Sequence, residues 1–149
     1  MELLNLRLLL ADDDEDDCIF FKDALDDLPI ITTLTTVNDG VELMHLLKSQ
    51  PEILPDLLFL DLNMPRKTGY ECLSEIKKNK KLKHLPVIVF STSFEPTRVN
   101  LLYENGAHYY IRKPGEFSKL KELIQKAISL ASGPDKKQPP KENFVIKEG

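Results

Sequence analysis

The sequence has no basic excess, no long apolar run and too few cysteines to build a framework. A formal charge of −4 removes the electrostatic footprint on which nucleic-acid binding rests, because phosphate contacts call for a cationic patch. No stretch approaches the ~20 consecutive apolar residues that cross a bilayer, so no membrane role is expected. The start, MELLNLRLLLADDDEDD, lacks the cationic region and small-residue cleavage site of a secretory leader. The cytoplasm is the expected compartment. Cys18 and Cys72 have no metal-type spacing, and each falls in an amphipathic stretch where a small buried thiol is the simplest reading. No internal repeat is evident.

What remains is one core of ordinary size. The 149 residues, 42% hydrophobic and 30% charged, have the balance of a folded rather than a disordered chain. Short apolar runs alternate with amphipathic stretches, the pattern of an α/β protein with a parallel sheet. The runs are Leu6–Ala11, Thr32–Val37, Leu57–Leu60, Val87–Phe90 and His108–Ile111. Between them, helical spacing is clearest in Phe117, Leu120, Ile124, Ala127, Ile128 and Ala131. Short loops and right-handed crossovers favour a doubly wound five-stranded sheet of order 2-1-3-4-5. Residues 1–132 are expected to form the domain. From Gly133 the composition turns to GPDKKQPPKENFVIKEG, which reads as a flexible tail with one apolar handle, Phe144-Val145-Ile146.

In such a sheet, ligands gather beyond the carboxyl ends of the strands, at the switch point between strands 1 and 3. Strand 1 ends in Asp12, Asp13 and Asp14, strand 3 in Asp61, strand 4 in Ser91 and Thr92, and strand 5 in Lys113. Asp14, Glu15, Asp16 and Asp17 are accounted for by a helix cap and the helix dipole. Asp12 and Asp13 face Asp61, and three carboxylates so placed repel one another unless a cation intervenes. Carboxylate oxygens suit Mg²⁺ better than a soft metal. A calcium loop starting at Asp12 fails, because it would need Gly where Asp17 stands and Glu where Asp23 stands. A carboxylate beside such a cation can attack phosphorus. Lys113 would add fixed positive charge, and Ser91 a hydrogen bond to the transferred oxygens.

The segments LLLADD (Leu8–Asp13), LLFLDLNMPRKTG (Leu57–Gly69), PVIVFSTS (Pro86–Ser93) and GAHYYIRKP (Gly106–Pro114) together resemble the receiver domain of bacterial two-component response regulators. The resemblance spans about Leu6 to Ala131. It implies a flavodoxin-like, CheY-like fold and a phosphorylation switch rather than an enzyme acting on other substrates. It further implies that Asp61 is the phosphoacceptor, that Asp13 is the main side-chain ligand of Mg²⁺ with Asp12 in support, and that Asn63 supplies a backbone carbonyl to the metal. Ser91 falls at the switch hydroxyl, Lys113 at the lysine position, Pro114 after it, and Tyr110 at the switch aromatic. The phosphoryl donor would be a sensor histidine kinase or a phosphotransfer protein. With no length for an output domain after Ala131, the signal would pass to a downstream protein through the face of the fourth helix, fifth strand and fifth helix. A homodimer stays open. The acidic string to Asp17 and Arg66-Lys67-Thr68-Gly69 resemble the single-domain regulators that partner bacterial phytochromes.

Three other readings share some of these residues. A haloacid-dehalogenase-type phosphatase needs Thr or Val where Asp16 stands, and late acids for its metal, whereas the one aspartate after Asp61 is Asp135. A flavodoxin-like flavin binder needs a first loop that welcomes phosphate, and DDDEDD does not. A receiver that cannot be phosphorylated is opposed by the presence of both Asp61 and Lys113. The run Lys77, Lys78, Lys80, Lys81, Lys83 is read as a solvated face at a helix end.

Overall fold

A computed structural model describes residues 5–50, 53–133 and 137–148. Strands β1 (Leu6–Ala11), β2 (Thr32–Val37), β3 (Leu57–Leu60), β4 (Val87–Ser91) and β5 (Tyr109–Arg112) alternate with helices α1 (Glu15–Asp26), α2 (Gly40–Ser49), α3 (Gly69–Lys78), α4 (Pro96–Glu104) and α5 (Phe117–Ala131). All strand pairs are parallel, in the order β2-β1-β3-β4-β5. That is the order the sequence pattern leads one to expect. β3 is buried along its whole length, which explains why its four residues are all apolar: a strand covered on both faces has no polar side.

Alternation along the strands divides the core in two. Leu8, Leu10, Phe59, Phe90 and Ile111 pack with α1 and α5. Leu9, Leu58, Leu60, Val89 and Tyr110 face α2, α3 and α4. Phe21 wedges edge-on against Phe59 and Phe90, at 4.9 and 5.5 Å between ring centroids. Helix starts follow their caps: Asp14 accepts from Asp17 N, Asp39 from Glu42 N, and Thr68 and Glu71 form a reciprocal capping box. Cys18 and Cys72 are buried.

Several sequence expectations are adjusted. β4 runs on to Ser91, and β5 begins at Tyr109 rather than His108. The reason is local: the His108 ring nitrogen Nδ1 accepts from Val87 N at 3.3 Å, a side-chain bond at the point where the strand ladder starts. Lys77 does not belong to a solvated face. Its ammonium donates to Lys83 O and Leu85 O at 3.2 and 3.0 Å, its stem lies under Gly106, and burial pushes its pKa down to about 8.

The larger correction concerns the segment read as a flexible tail. Of Gly133–Gly149, the described residues 137–148 pack along the outer edge of β5. Phe144 and Ile146 are buried, and Val145 bridges Tyr110 in parallel. Tyr110 N donates to Phe144 O and Ile146 N to Tyr110 O, at 3.0 and 2.9 Å. An open strand edge has donors and acceptors to satisfy, and Phe144-Val145-Ile146, with Val145 as the bridging residue, supply both bonds and burial. Asp135 lies outside the described residues.

Candidate functional site

The backbone ladder carries the acids to one rim. Asp12 N donates to Val37 O at 3.0 Å and Asp61 N to Ala11 O at 2.9 Å, so both carboxylates leave the sheet at the same level. One ligand atom from each of Asp12, Asp13 and Asp61 lies within 4.8 Å of the others. Asp12 is fully buried, Asp61 6% exposed and Asp13 exposed. Their orientation is fixed by bonds to the backbone: Asp14 N donates to Asp12 Oδ1 at 3.0 Å, and Leu62 N to Asp61 Oδ1 at 2.9 Å. Gly69 lets α3 come this close. A Cβ there would stand 2.2 Å from Asp61 O.

Lys113, on the residue after β5, enters from the far side. Its Nζ stands 2.7 Å from Asp12 Oδ2, 2.8 Å from Asp17 Oδ2 and 3.8 Å from Asp61 Oδ2. Burial alone would lower the lysine pKa, but the Asp12 and Asp17 carboxylates outweigh it and hold the ammonium charged. Burial has the opposite effect on the acids. It raises Asp61 to about 7 against the pull of Lys113, with the Asp12 charge pushing the same way as burial. Asp12 is raised too, chiefly by burial and against the bond from Lys113. Asp12 Oδ2 is buried and receives no well-directed hydrogen bond, although the ammonium is within ion-pair distance. One cation thus serves several acids and does not fully satisfy them, so the donor set fits a further hard cation held by oxygen.

Ser91 is fully buried at the end of β4. Its Oγ accepts from Ser93 N at 3.2 Å. Tyr110 is 1% exposed, its hydroxyl donates to Ser93 O, and its ring meets Phe94 edge-on at 5.8 Å. The aromatic therefore already lies inside, in a hydrogen-bonded line with the hydroxyl. Asn63 is exposed in the loop between β3 and α3, two residues past Asp61. Arg66 in the same loop adopts φ 67° and pairs with Asp39 at 3.2 Å, tying the loop to the start of α2.

Asp12, Asp13, Asp61, Ser91 and Lys113 thus stand at the carboxyl rim, with Asp12, Asp13, Asp61 and Lys113 in one cluster, whereas Tyr110 lies within β5 and reaches Ser93 through its hydroxyl. Asp17 was missed as a member. A first-turn acid has a sufficient cause in the helix dipole, and the signal that would have found it is its spacing, three residues past the Asp14 cap.

Comparison with known proteins gives a consistent result. A family model described as the response regulator receiver domain matches residues 8–125. Response regulator Rcp1 of Synechocystis sp. is 34% identical over 122 residues, 79% of this chain and 83% of that protein. The phosphorylated cyanobacterial phytochrome response regulator RcpA superposes with a TM-score of 0.79 at 31% identity, over 89% of this chain and all of that one. The Mn²⁺-bound form of Rcp1 gives 0.77 at 32% identity, over 90% and 99%. No helix among the described residues is long and apolar enough to cross a membrane.

Proposed function

The chain belongs to the response regulator receiver domain family, a family of two-component signal transduction, and from that premise we propose that Asp61 is its phosphoacceptor. The observation that carries this reading is the convergence of Asp12, Asp13 and Asp61 within 4.8 Å under a single ammonium. An Asp61 carboxylate oxygen attacks phosphorus. The bond from phosphorus to the donor breaks, and the donor leaves with the bonding pair. Lys113, 3.8 Å away, favours the ionised, nucleophilic form of Asp61 and lies close enough to meet the arriving negative charge. The Ser91 hydroxyl, on the neighbouring strand end, is the donor for a phosphoryl oxygen. Asp12, Asp13, Asp61 and the Asn63 backbone carbonyl would hold Mg²⁺, which when bound neutralises charge on the carboxylates and the phosphoryl group.

The donor is a sensor histidine kinase or a phosphotransfer protein, and the chain catalyses its own phosphorylation and dephosphorylation alone. Residues up to 132 constitute the receiver, the setting is the cytoplasm, and the face of α4, β5 and α5 meets the downstream protein. The likeness to RcpA and Rcp1, the first named as a phytochrome response regulator, supports a light-signalling kinase as the donor class. A dehalogenase-type phosphatase would place its nucleophile on β1, where Asp12 is instead engaged with Lys113 and Asp14 N.

Incubation with Mg²⁺ and acetyl phosphate, followed by peptide mass spectrometry, tests the reading. One phosphoryl group is expected, on Asp61, labile to base, and absent from Asp61→Asn. A label on Asp12 or on a serine overturns it.

A further inference from the structure

Residues 137–148 occupy the surface that the proposed function gives to a downstream protein. They touch each of its elements. On α4 and the connection after it, Tyr103 OH donates to Pro139 O, and Gln138 Nε2 donates to Tyr103 O and Ala107 O, all at 2.7 Å. On β5, Phe144 O and Ile146 N bond the Tyr110 backbone. On α5, Lys126 Nζ donates to Lys147 O at 2.9 Å, and Lys119 stands 3.7 Å from Glu148. The Phe144 ring is 2% exposed, edge-on to Tyr103 at 5.2 Å and to Tyr110 at 6.3 Å.

The docking point is also the end of a line that begins beside Asp61. Ser93 N donates to Ser91 Oγ. Ser93 O accepts from Tyr110 OH, and the same residue, Tyr110, carries both backbone bonds to the tail. With Phe144 in place, its ring edge-on to Tyr110, Tyr110 is closed off from solvent. A Ser91 hydroxyl drawn toward an oxygen on Asp61 would act on Ser93 and, through it, on the Tyr110 hydroxyl that Ser93 holds inside.

Resting on the reading of Asp61 and Ser91 given above, we propose that residues 137–148 are an internal ligand of the α4–β5–α5 face. Their docking and the occupancy of Asp61 reinforce one another through Ser91, Ser93 and Tyr110. Linkage requires the effect to run both ways: a group on Asp61 tightens the tail, and the docked tail tightens binding at Asp61. A downstream protein then recognises a face that includes Phe144 and Ile146 rather than a bare strand edge.

The experiment uses the full chain with Mg²⁺ and beryllofluoride, with loading followed by fluorine NMR and the tail by hydrogen exchange of its peptides. Loading should slow exchange across residues 144–146 severalfold. Phe144→Ala, which removes the buried ring, and Ile146→Pro, which removes both the N–H that bonds Tyr110 O and the buried Ile146 side chain, should each weaken the beryllofluoride midpoint by roughly fivefold or more, the lower end of ordinary coupling. Full loading with unchanged tail exchange, or an unchanged midpoint in Ile146→Pro, overturns the proposal while leaving Asp61 as the site. Failure of beryllofluoride to load at all removes the proposal together with the reading of Asp61. Tail protection that vanishes on dilution places the segment on a second copy and overturns the internal assignment.

Discussion

Replacing Asp61 by Asn in metal-free buffer removes a buried carboxyl group without changing its shape, and the pH dependence of stability should report the difference. In the fold its pKa rises from the ordinary 3.8 to about 7, burial being the main cause. The folded state therefore holds this proton more tightly than the unfolded chain does. The stability of the protonated form is complete below about pH 4 and is lost progressively as pH rises toward 7. At about 1.4 kcal/mol per pKa unit, and with Asp12 titrating in the same field, the loss totals about 2–4 kcal/mol by pH 8. Urea unfolding at intervals from pH 5 to 8 in the presence of a chelator measures it. The parent should lose about 2–3 kcal/mol across that range, and Asp61→Asn should be flatter and more stable than the parent at pH 8. Saturating Mg²⁺ should remove most of the difference by favouring the ionised parent. Parallel pH profiles for the two proteins would refute the assignment of Asp61 as a strained, buried acid.

Two further outcomes follow from the same geometry. Mg²⁺ at a hundred times its dissociation constant should stabilise the parent by about 2.7 kcal/mol through linkage, and Asp13→Ala should lose that response while remaining folded. An undiminished shift of the melting temperature would exclude Asp13 as a ligand. Gly69→Ala should destabilise by about 1–3 kcal/mol, because overpacking forces backbone movement; its new Cβ would press on Asp61 O at 2.2 Å, so phosphorylation by acetyl phosphate should slow as well. Wild-type stability with normal labelling would mean that α3 yields freely at this point.

The fold was legible because its strands are nearly pure signals. Leu57–Leu60 has no polar residue, and the structure buries all four. The site was legible for a different reason: acids, a hydroxyl and a lysine each close an apolar run, and parallel topology gathers strand ends on one rim. What was hidden depends on partners remote in sequence. Phe144-Val145-Ile146 is too short to announce a strand within a polar, proline-rich stretch, and it is burial against Tyr103 and Tyr110 that gives it a place. Asp17 reads as a helix-start acid until Lys113, 96 positions away, arrives beside it. Lys77 reads as one of several surface lysines, and the carbonyls of Lys83 and Leu85 that hold it belong to the following loop.

The sheet has two margins, and the chain treats them unlike one another. β2 ends one side with TTLTTV, a run whose exposed threonines give water a polar border and whose one strand partner among the described residues is β1. The opposite margin, β5, is Tyr-Tyr-Ile-Arg with its first three residues buried, and its outward amide and carbonyl at Tyr110 are met by residues 144 and 146. A chain cut back to Ala131 would present those groups on an apolar strand, the arrangement that invites strand addition by a neighbouring molecule. Solubility and resistance to self-association should therefore be a property of the last dozen residues as much as of the surface charge.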